Sequence, residues 1–175
     1  MPQPEFIAAD LGMHRSELIE LNVEYLSWVF VEIEKFFGVT SEQIIGMSAS
    51  EYVPTVIDKV CGNAPPKGVF YLVTVGGTLA GMGGMRSLGG GIAEVKRIYI
   101  RPAFRGMNLG DLMLRRLLAD AKAFGHEMAR LDTGPFMQAA HRVYESNGFV
   151  DRPPYEDAET PAEFHSRWRF MERQL

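Results

Sequence analysis

Between Arg101 and Gly110 the chain reads Arg-Pro-Ala-Phe-Arg-Gly-Met-Asn-Leu-Gly, directly after the strand-like run Ile92–Ile100 and directly before an amphipathic helical stretch. A helix start leaves its first amides without acceptors and carries about half a positive charge, so a strand–loop–helix unit of this kind can hold an anion such as phosphate. Gly106 and Gly110 let a ligand approach the main chain without a Cβ in the way, and Arg105 adds a charged donor. The surroundings suit an anion too: from Val95 to Arg116 the chain carries Lys96, Arg97, Arg101, Arg105, Arg115 and Arg116 against the single acid Asp111. No Gly-x-x-x-x-Gly-Lys-Ser/Thr or Gly-x-Gly-x-x-Gly pattern competes for the phosphate role. His14, His126, His141 and His165 share no ligand spacing, so no metal site is expected. The single cysteine, Cys61, is expected to be a small inert residue.

The elements that must position this loop follow from periodicity and punctuation. Gly12–Phe37 places Leu18, Leu21, Tyr25, Trp28, Val29 and Ile33 at helical spacing and stops at Gly38. On that helix Tyr25, Trp28, Phe36 and Phe37 are read as core residues. Residues 50–60 form a second helix, and Pro65-Pro66 breaks the chain after it. Gly68–Met85 carries no charge over 18 residues, long enough for a membrane span, yet six of the 18 are glycine. Glycine weakens a helix by about 1 kcal/mol per site relative to alanine, so the run is instead two strands, Val69–Val75 and Thr78–Met82, turning at Gly76-Gly77. Ile92–Ile100 is a strand whose apolar phase breaks, with Ala93 and Val95 at odd positions and Ile98 and Ile100 at even ones. Keeping one buried face then requires an inserted residue, which predicts a β-bulge near Lys96-Arg97. A helix from Asn108, its N-cap, to about Phe124 presents Leu109, Leu112, Met113, Leu117, Leu118 and Ala121. A strand at Glu127–Thr133, a helix at Phe136–Asn147 and a final strand at Glu163–Glu172 complete the chain.

Three segments together resemble the GNAT superfamily of acyl-CoA-dependent N-acetyltransferases: Glu94-Val95-Lys96-Arg97-Ile98-Tyr99-Ile100, Arg105-Gly106-Met107-Asn108-Leu109-Gly110, and Tyr144-Glu145-Ser146-Asn147-Gly148-Phe149. The strong part of the resemblance covers residues 92–150. The family's Arg/Gln-x-x-Gly-x-Gly/Ala signature is met at Arg105 and Gly110, with Asn108 in place of the first glycine. The resemblance implies one α+β domain over residues 1–175, with a mixed, mostly antiparallel sheet, helices on both faces and a bulged strand at the cofactor cleft. It implies that the amides of Gly106, Met107, Asn108, Leu109, Gly110 and Asp111, with Arg105, hold the pyrophosphate of acetyl-CoA, a co-substrate. It implies also that the main chain of Ile98, Tyr99 and Ile100 pairs with pantetheine, and that Tyr144 faces the sulfur. An asparagine common seven residues before that tyrosine is Met137 here, so that contact to the cofactor is either missing or supplied otherwise, Gln138 being the candidate.

The expected reaction is acetyl transfer to a primary amine, small-molecule or peptide, by direct transfer in a ternary complex. An alkyl ammonium with a pKa near about 10 must lose a proton before it attacks. Glu94 is the expected acceptor of that proton, its alternative being an ion pair with a neighbouring base. Tyr144 is the expected acid for the departing thiolate, its alternative being a packed core tyrosine. A non-catalytic acyl-CoA-binding or regulatory module of the same fold is the second reading.

Composition bounds the rest. The 175 residues carry a net charge of −4, with 46% hydrophobic and 23% charged residues, as expected of one folded domain. Residues 1–66 hold 10 acids and 3 bases, and residues 67–175 hold 12 acids and 15 bases. The basic part contains the anion loop; the acidic part is expected to border a cationic acceptor. No nucleic-acid-reading motif accompanies this balance, and neither nucleic acid nor membrane is an expected partner. The start, Met1-Pro2-Gln3-Pro4-Glu5, lacks the pattern of a secretory leader, and a lone cysteine fits a reducing compartment, so the expected location is cytoplasmic. A homodimer is compatible with the sequence.

Overall fold

The computed structural model describes residues 1–175. Seven strands form one sheet in the order β1-β2-β3-β4-β5-β7-β6, from β1 (Pro4–Ala8), β2 (Gly68–Val75), β3 (Thr78–Gly89), β4 (Ile92–Ile100), β5 (Met128–Thr133), β6 (Val150–Arg152) and β7 (Arg169–Gln174). Every neighbouring pair is antiparallel except β4 and β5. The helices are α1 (Leu11–Phe37), α2 (Ser41–Ile45), α3 (Ala49–Cys61), α4 (Leu109–Ala123) and α5 (Gln138–Ser146). The expected α+β fold with a mostly antiparallel sheet covered on both faces is observed.

Strand β2 shows why the sheet is buried on both sides. Its alternate residues Val69, Tyr71, Val73 and Val75 join the core under α4, with Met113, Leu114, Leu117 and Leu118. The intervening Phe70 and Leu72 join the opposite core with Leu18 and Leu21 of α1 and Val53 and Ile57 of α3. Full burial of each such leucine is worth about 1.5–3 kcal/mol, which fastens both helical layers. Strand β3 runs on through its glycines to Gly89, beyond the expected end at Met82. A Cβ at Gly83 would lie 2.7 Å from Met113 Cγ, and one at Gly84 2.3 Å from Phe70 Cδ2. The glycines therefore make room for large side chains on both faces of the sheet and do not end the strand.

The bulge lies where the phase break places it. Met82 pairs with Tyr99 and Gly84 with Lys96, so Arg97 and Ile98 together face Gly83. Arg97 takes φ 55°. As a result Ala93 and Val95 before the bulge, and Ile98 and Ile100 after it, all pack on the α4 core.

Four local expectations are corrected. Helix α2, opened by a Thr40–Gln43 capping box, and the three-residue β6 are additional elements. The segment expected as a strand from Glu163 is a 3-10 helix over Ala162–Arg167, and only Arg169–Gln174 is extended. Phe164 and Trp168 are four apart, a spacing that serves a turn as well as a strand. On α4, Leu112 is exposed and Leu114 takes its place in the core.

Candidate active site

β4 and β5 pair only through Ile92–Glu94 and Met128–Arg130. Beyond Glu94 the two strands part, and from Val95 onward β4 has β3 alone as a neighbour. A cavity of about 940 Å³ opens into this fork. It is lined by β4 from Glu94 to Ile100, by the loop and first turn of α4, by Val143 and Tyr144 of α5, and by rings of α1.

The loop fits the anion role physically. The amide N–H groups of Gly106 through Asp111 donate to no acceptor in the chain, and Asn108, at the N-cap with φ 61°, gives α4 no side-chain cap. Asn108 thus holds the left-handed geometry but not the capping bond, and its Nδ2 reaches Asp111 Oδ2 at 3.4 Å instead. A Cβ built at Gly106 or Gly110 meets nothing within 4 Å, so the space above the loop is open. Six free amides beside a positive helix end make an anion cradle that a pyrophosphate suits. Arg105 donates from Nε to Ile100 O at 3.2 Å and makes no ion pair. Its basic neighbours are engaged inside the chain. Arg101 bridges Glu20 and Glu24, Lys96 pairs with Glu159 at 3.0 Å, Arg115 pairs with Asp111, and Arg97 donates to Asn22 Oδ1 at 2.8 Å.

Glu94 is only 3% exposed. Its Oε1 accepts from Arg86 Nε at 2.8 Å and its Oε2 from the Tyr155 hydroxyl at 2.9 Å. Burial pushes this carboxyl up, and Arg86 and Tyr155 pull it back. Both oxygens are thus already committed, the ion-pair arrangement weighed as the alternative. Tyr144 lies on the cavity wall and its hydroxyl makes no hydrogen bond within the chain. Burial pushes its phenol well above the ordinary range, with Tyr25 and Asp132 adding to the rise, so it is protonated at neutral pH. Ile98, Tyr99, Ile100, Asn108, Leu109 and Gly110 line the same cavity, as do Met137 and Gln138. Met107 packs against the α4 core and is not on the wall.

The acidic lining comes from an unexpected part of the chain. Helix α1, from the acidic first third, contributes rings and aliphatics to the wall, among them Tyr25 and Trp28. Its Glu20 and Glu24 bind Arg101, and the acids that line the cavity are Glu94, Asp111, Asp132 and Glu159. Tyr25 and Trp28 are accordingly half-buried wall residues, Phe36 is exposed, and Phe37 is half-buried against Phe164 at 4.6 Å. Asp132 had no motif to mark it. It stands on β5 with Oδ2 accepting from the Thr160 hydroxyl and from Trp168 Nε1, which leaves Oδ1 without a hydrogen bond from another residue. Burial raises its carboxyl pKa, with the Thr160 and Trp168 bonds opposing. The available signal was weak: Ala129, Leu131 and Thr133 face the core in alternation, which turns Asp132 to the other side. Cys61 is buried, its thiol pushed up to about 11 chiefly by burial, and so is inert as expected.

The sequence model of the Acetyltransferase (GNAT) family matches residues 33–149. The chain belongs to this family. Among relatives of the GNAT chain, an IAA acetyltransferase of Azospirillum brasilense is 33% identical over 93 residues, covering 53% of this chain and 61% of the relative. An uncharacterised N-acetyltransferase of Dictyostelium discoideum is 38% identical over 64 residues, covering 37% and 30% of the two chains. The GNAT chain thus aligns with between 30% and 61% of the length of the curated relatives it matches. Solved structures share the fold from end to end. An acetyltransferase of Streptococcus agalactiae superposes with TM-score 0.70 at 21% identity, covering 98% of each chain. The PaiA N-acetyltransferase of Thermoplasma acidophilum, solved in complex with coenzyme A, superposes with TM-score 0.68 at 18% identity, covering 99% of each chain.

Proposed function

We propose that this GNAT protein transfers an acetyl group from acetyl-CoA to a primary amine, by direct attack in a ternary complex. The observation that carries the reading is the fork between β4 and β5. Its one cavity joins five of the acceptor-less amides, a strand edge free beyond Glu94, the unbonded Tyr144 hydroxyl and the Asp132 carboxylate. When bound, acetyl-CoA supplies an activated thioester carbonyl and a thiol leaving group.

The chain's residues then divide the work. The amides of Gly106–Asp111 and the side chain of Arg105 bind the pyrophosphate, and the main chain of Ile98–Ile100 aligns the pantetheine arm as an added strand would align. Asp132 accepts the proton that the ammonium must lose, since its Oδ1 accepts from no other residue and its raised pKa brings its basicity nearer the working pH. Glu94, held by Arg86 and Tyr155, either shares that task through water or keeps the neck of the fork in place. Tyr144, protonated, donates a hydrogen bond to the sulfur as negative charge gathers there. One C–S bond breaks and one C–N bond forms. The amine loses one proton before attack and a second with transfer, and the thiol leaves with one of them. We place the reaction in the cytoplasm, where the free Cys61 thiol stays reduced.

The test is titration with acetyl-CoA by calorimetry, followed by a thiol-release assay over a panel of amines. Micromolar binding with amine-dependent thiol release is expected. Binding without turnover of any amine would leave a non-catalytic acyl-CoA-binding module, and no binding would overturn the reading altogether.

A further inference from the structure

The acceptor end of the cavity is walled by a continuous chain of rings. Tyr25 and Trp28 stand 6.5 Å apart between centroids, Trp28 meets Phe136 edge to face at 5.7 Å, and Phe136 meets Trp168 edge to face at 5.8 Å. Phe164 backs Trp168 from the core side at 6.3 Å. Phe164 is fully packed, whereas Tyr25, Trp28, Phe136 and Trp168 are each only half-buried and share the cavity wall. Large rings left part-exposed in a concave site are the usual mark of an apolar ligand surface. Edge-to-face packing holds them in fixed orientations, and a flat ring inserted among them gains ring contacts beyond its area burial.

The polar groups of this wall are few and unequal. Glu94 is tied to Arg86, and Glu159 to Lys96. Asp132 has no basic partner, and it is joined to the ring wall by the 3.1 Å bond from Trp168 Nε1. The aromatic chain therefore ends on one available carboxylate. A wall of rings beside a single free acid matches a ligand with one ammonium group and a flat apolar body. A polyamine would bring further ammonium groups to acids that are already paired, at a desolvation cost no contact on this wall repays.

We infer that the acceptor is a monoamine carried on an aromatic body, its ring held among Tyr25, Trp28, Phe136 and Trp168 and its amine at Asp132. This rests on the acetyltransferase reading above and narrows its substrate.

Trp28 and Trp168 are the chain's two tryptophans, so the wall carries its own optical probe. Titration with 2-phenylethylamine, which does not absorb at the tryptophan excitation wavelength, is expected to give a saturable change in intrinsic fluorescence, and spermidine and n-butylamine are not. In the thiol-release assay 2-phenylethylamine is expected to exceed both in kcat/KM by about tenfold or more, the range that apolar pocket contacts supply. Phe136→Leu is expected to reduce that ratio severalfold, chiefly through KM. Trp28→Leu gives the same reading if the first variant folds poorly, and acetyl-CoA affinity reports the fold of each. Equal or greater turnover of spermidine or n-butylamine, with acetyl-CoA bound normally, would overturn the inference and leave the acetyltransferase reading intact. Loss of acetyl-CoA binding by the unaltered protein would overturn that reading instead, and the fluorescence titration would still decide whether the ring wall takes an aromatic amine.

Discussion

Asn147 donates from Nδ2 to Asp111 Oδ1 at 2.7 Å and to Val143 O at 2.8 Å. Asp111 lies in the first turn of α4, and Asn147 closes α5 three residues after Tyr144. One buried amide therefore couples the anion loop to the helix that carries the phenol. The Asn147 bond is the main reason that the Asp111 carboxyl sits below its ordinary range. Asn147→Ala removes both bonds and is expected to cost about 1–2 kcal/mol, a fall in Tm of about 2–8 °C for a chain of this size. Thermal denaturation checks this, and an unchanged Tm would show the coupling to be slack.

Tyr144→Phe keeps the ring and its contact with Phe149, centroids 6.0 Å apart, and removes only a hydroxyl with no partner in the chain. Stability and acetyl-CoA affinity are expected to change little. Turnover is expected to fall by about 10²-fold, the lower range for a general acid. Stopped-flow thiol release separates the two effects; unchanged release would remove Tyr144 from the chemistry.

Asp132 and Glu94 are distinguished by pH. The raised pKa of Asp132 means that the folded protein binds its proton more readily than the unfolded chain does. Its ionisation is thus a cost that appears as pH rises through the folded value and is absent below about pH 4, where both states are protonated. Asp132→Asn is expected to melt above the wild type at pH 7 and level with it near pH 4, while losing about 10²-fold in kcat/KM and the acidic limb of its pH profile. Glu94→Gln is expected to keep that limb and to melt lower, because Arg86 loses the nearer of its two carboxylate partners. Pairs of melting curves and pH–rate profiles decide between them; an Asp132→Asn profile matching wild type would return the base role to Glu94.

Asn108 holds φ 61° at the head of α4. Asn108→Gly restores the family's residue and relieves the left-handed geometry, so acetyl-CoA affinity is expected to stay within about twofold and Tm to hold or rise. Asn108→Val puts a β-branched residue into that geometry, at a cost of about 1–2 kcal/mol, and is expected to weaken acetyl-CoA binding as the loop shifts. Calorimetry on both variants checks the contrast.

The central unit was legible because its signals are local. The phase shift between Val95 and Ile98 announces a bulge whatever surrounds it, and Gly106, Asn108 and Gly110 ahead of an apolar stripe announce a helix start. The acceptor wall was not legible, because it is assembled across the chain. Trp28 and Phe136 meet only through the tertiary fold, and Asp132 acquires its meaning from Thr160 and Trp168, some thirty residues downstream. Reading Tyr25 and Trp28 as core followed from their helical spacing, which is the same for a ring facing packed side chains and one facing a cleft. Charge counts misled for a related reason. Glu20 and Glu24 of α1 are spent on Arg101, and the acids of the cavity come from β4, α4, β5 and the segment before the 3-10 helix.

The parting of β4 from β5 also bears on solubility. A strand edge with unpaired main-chain groups invites another sheet to dock and is a route to aggregation when it lies at a rim. Here the edge lies in mid-sheet, between β3 and β5, with α1 over one face and α4 over the other. A slot of that kind admits a thin extended chain but excludes a second protein's sheet. The fold thus keeps an adhesive surface for its ligand and withholds it from its own copies.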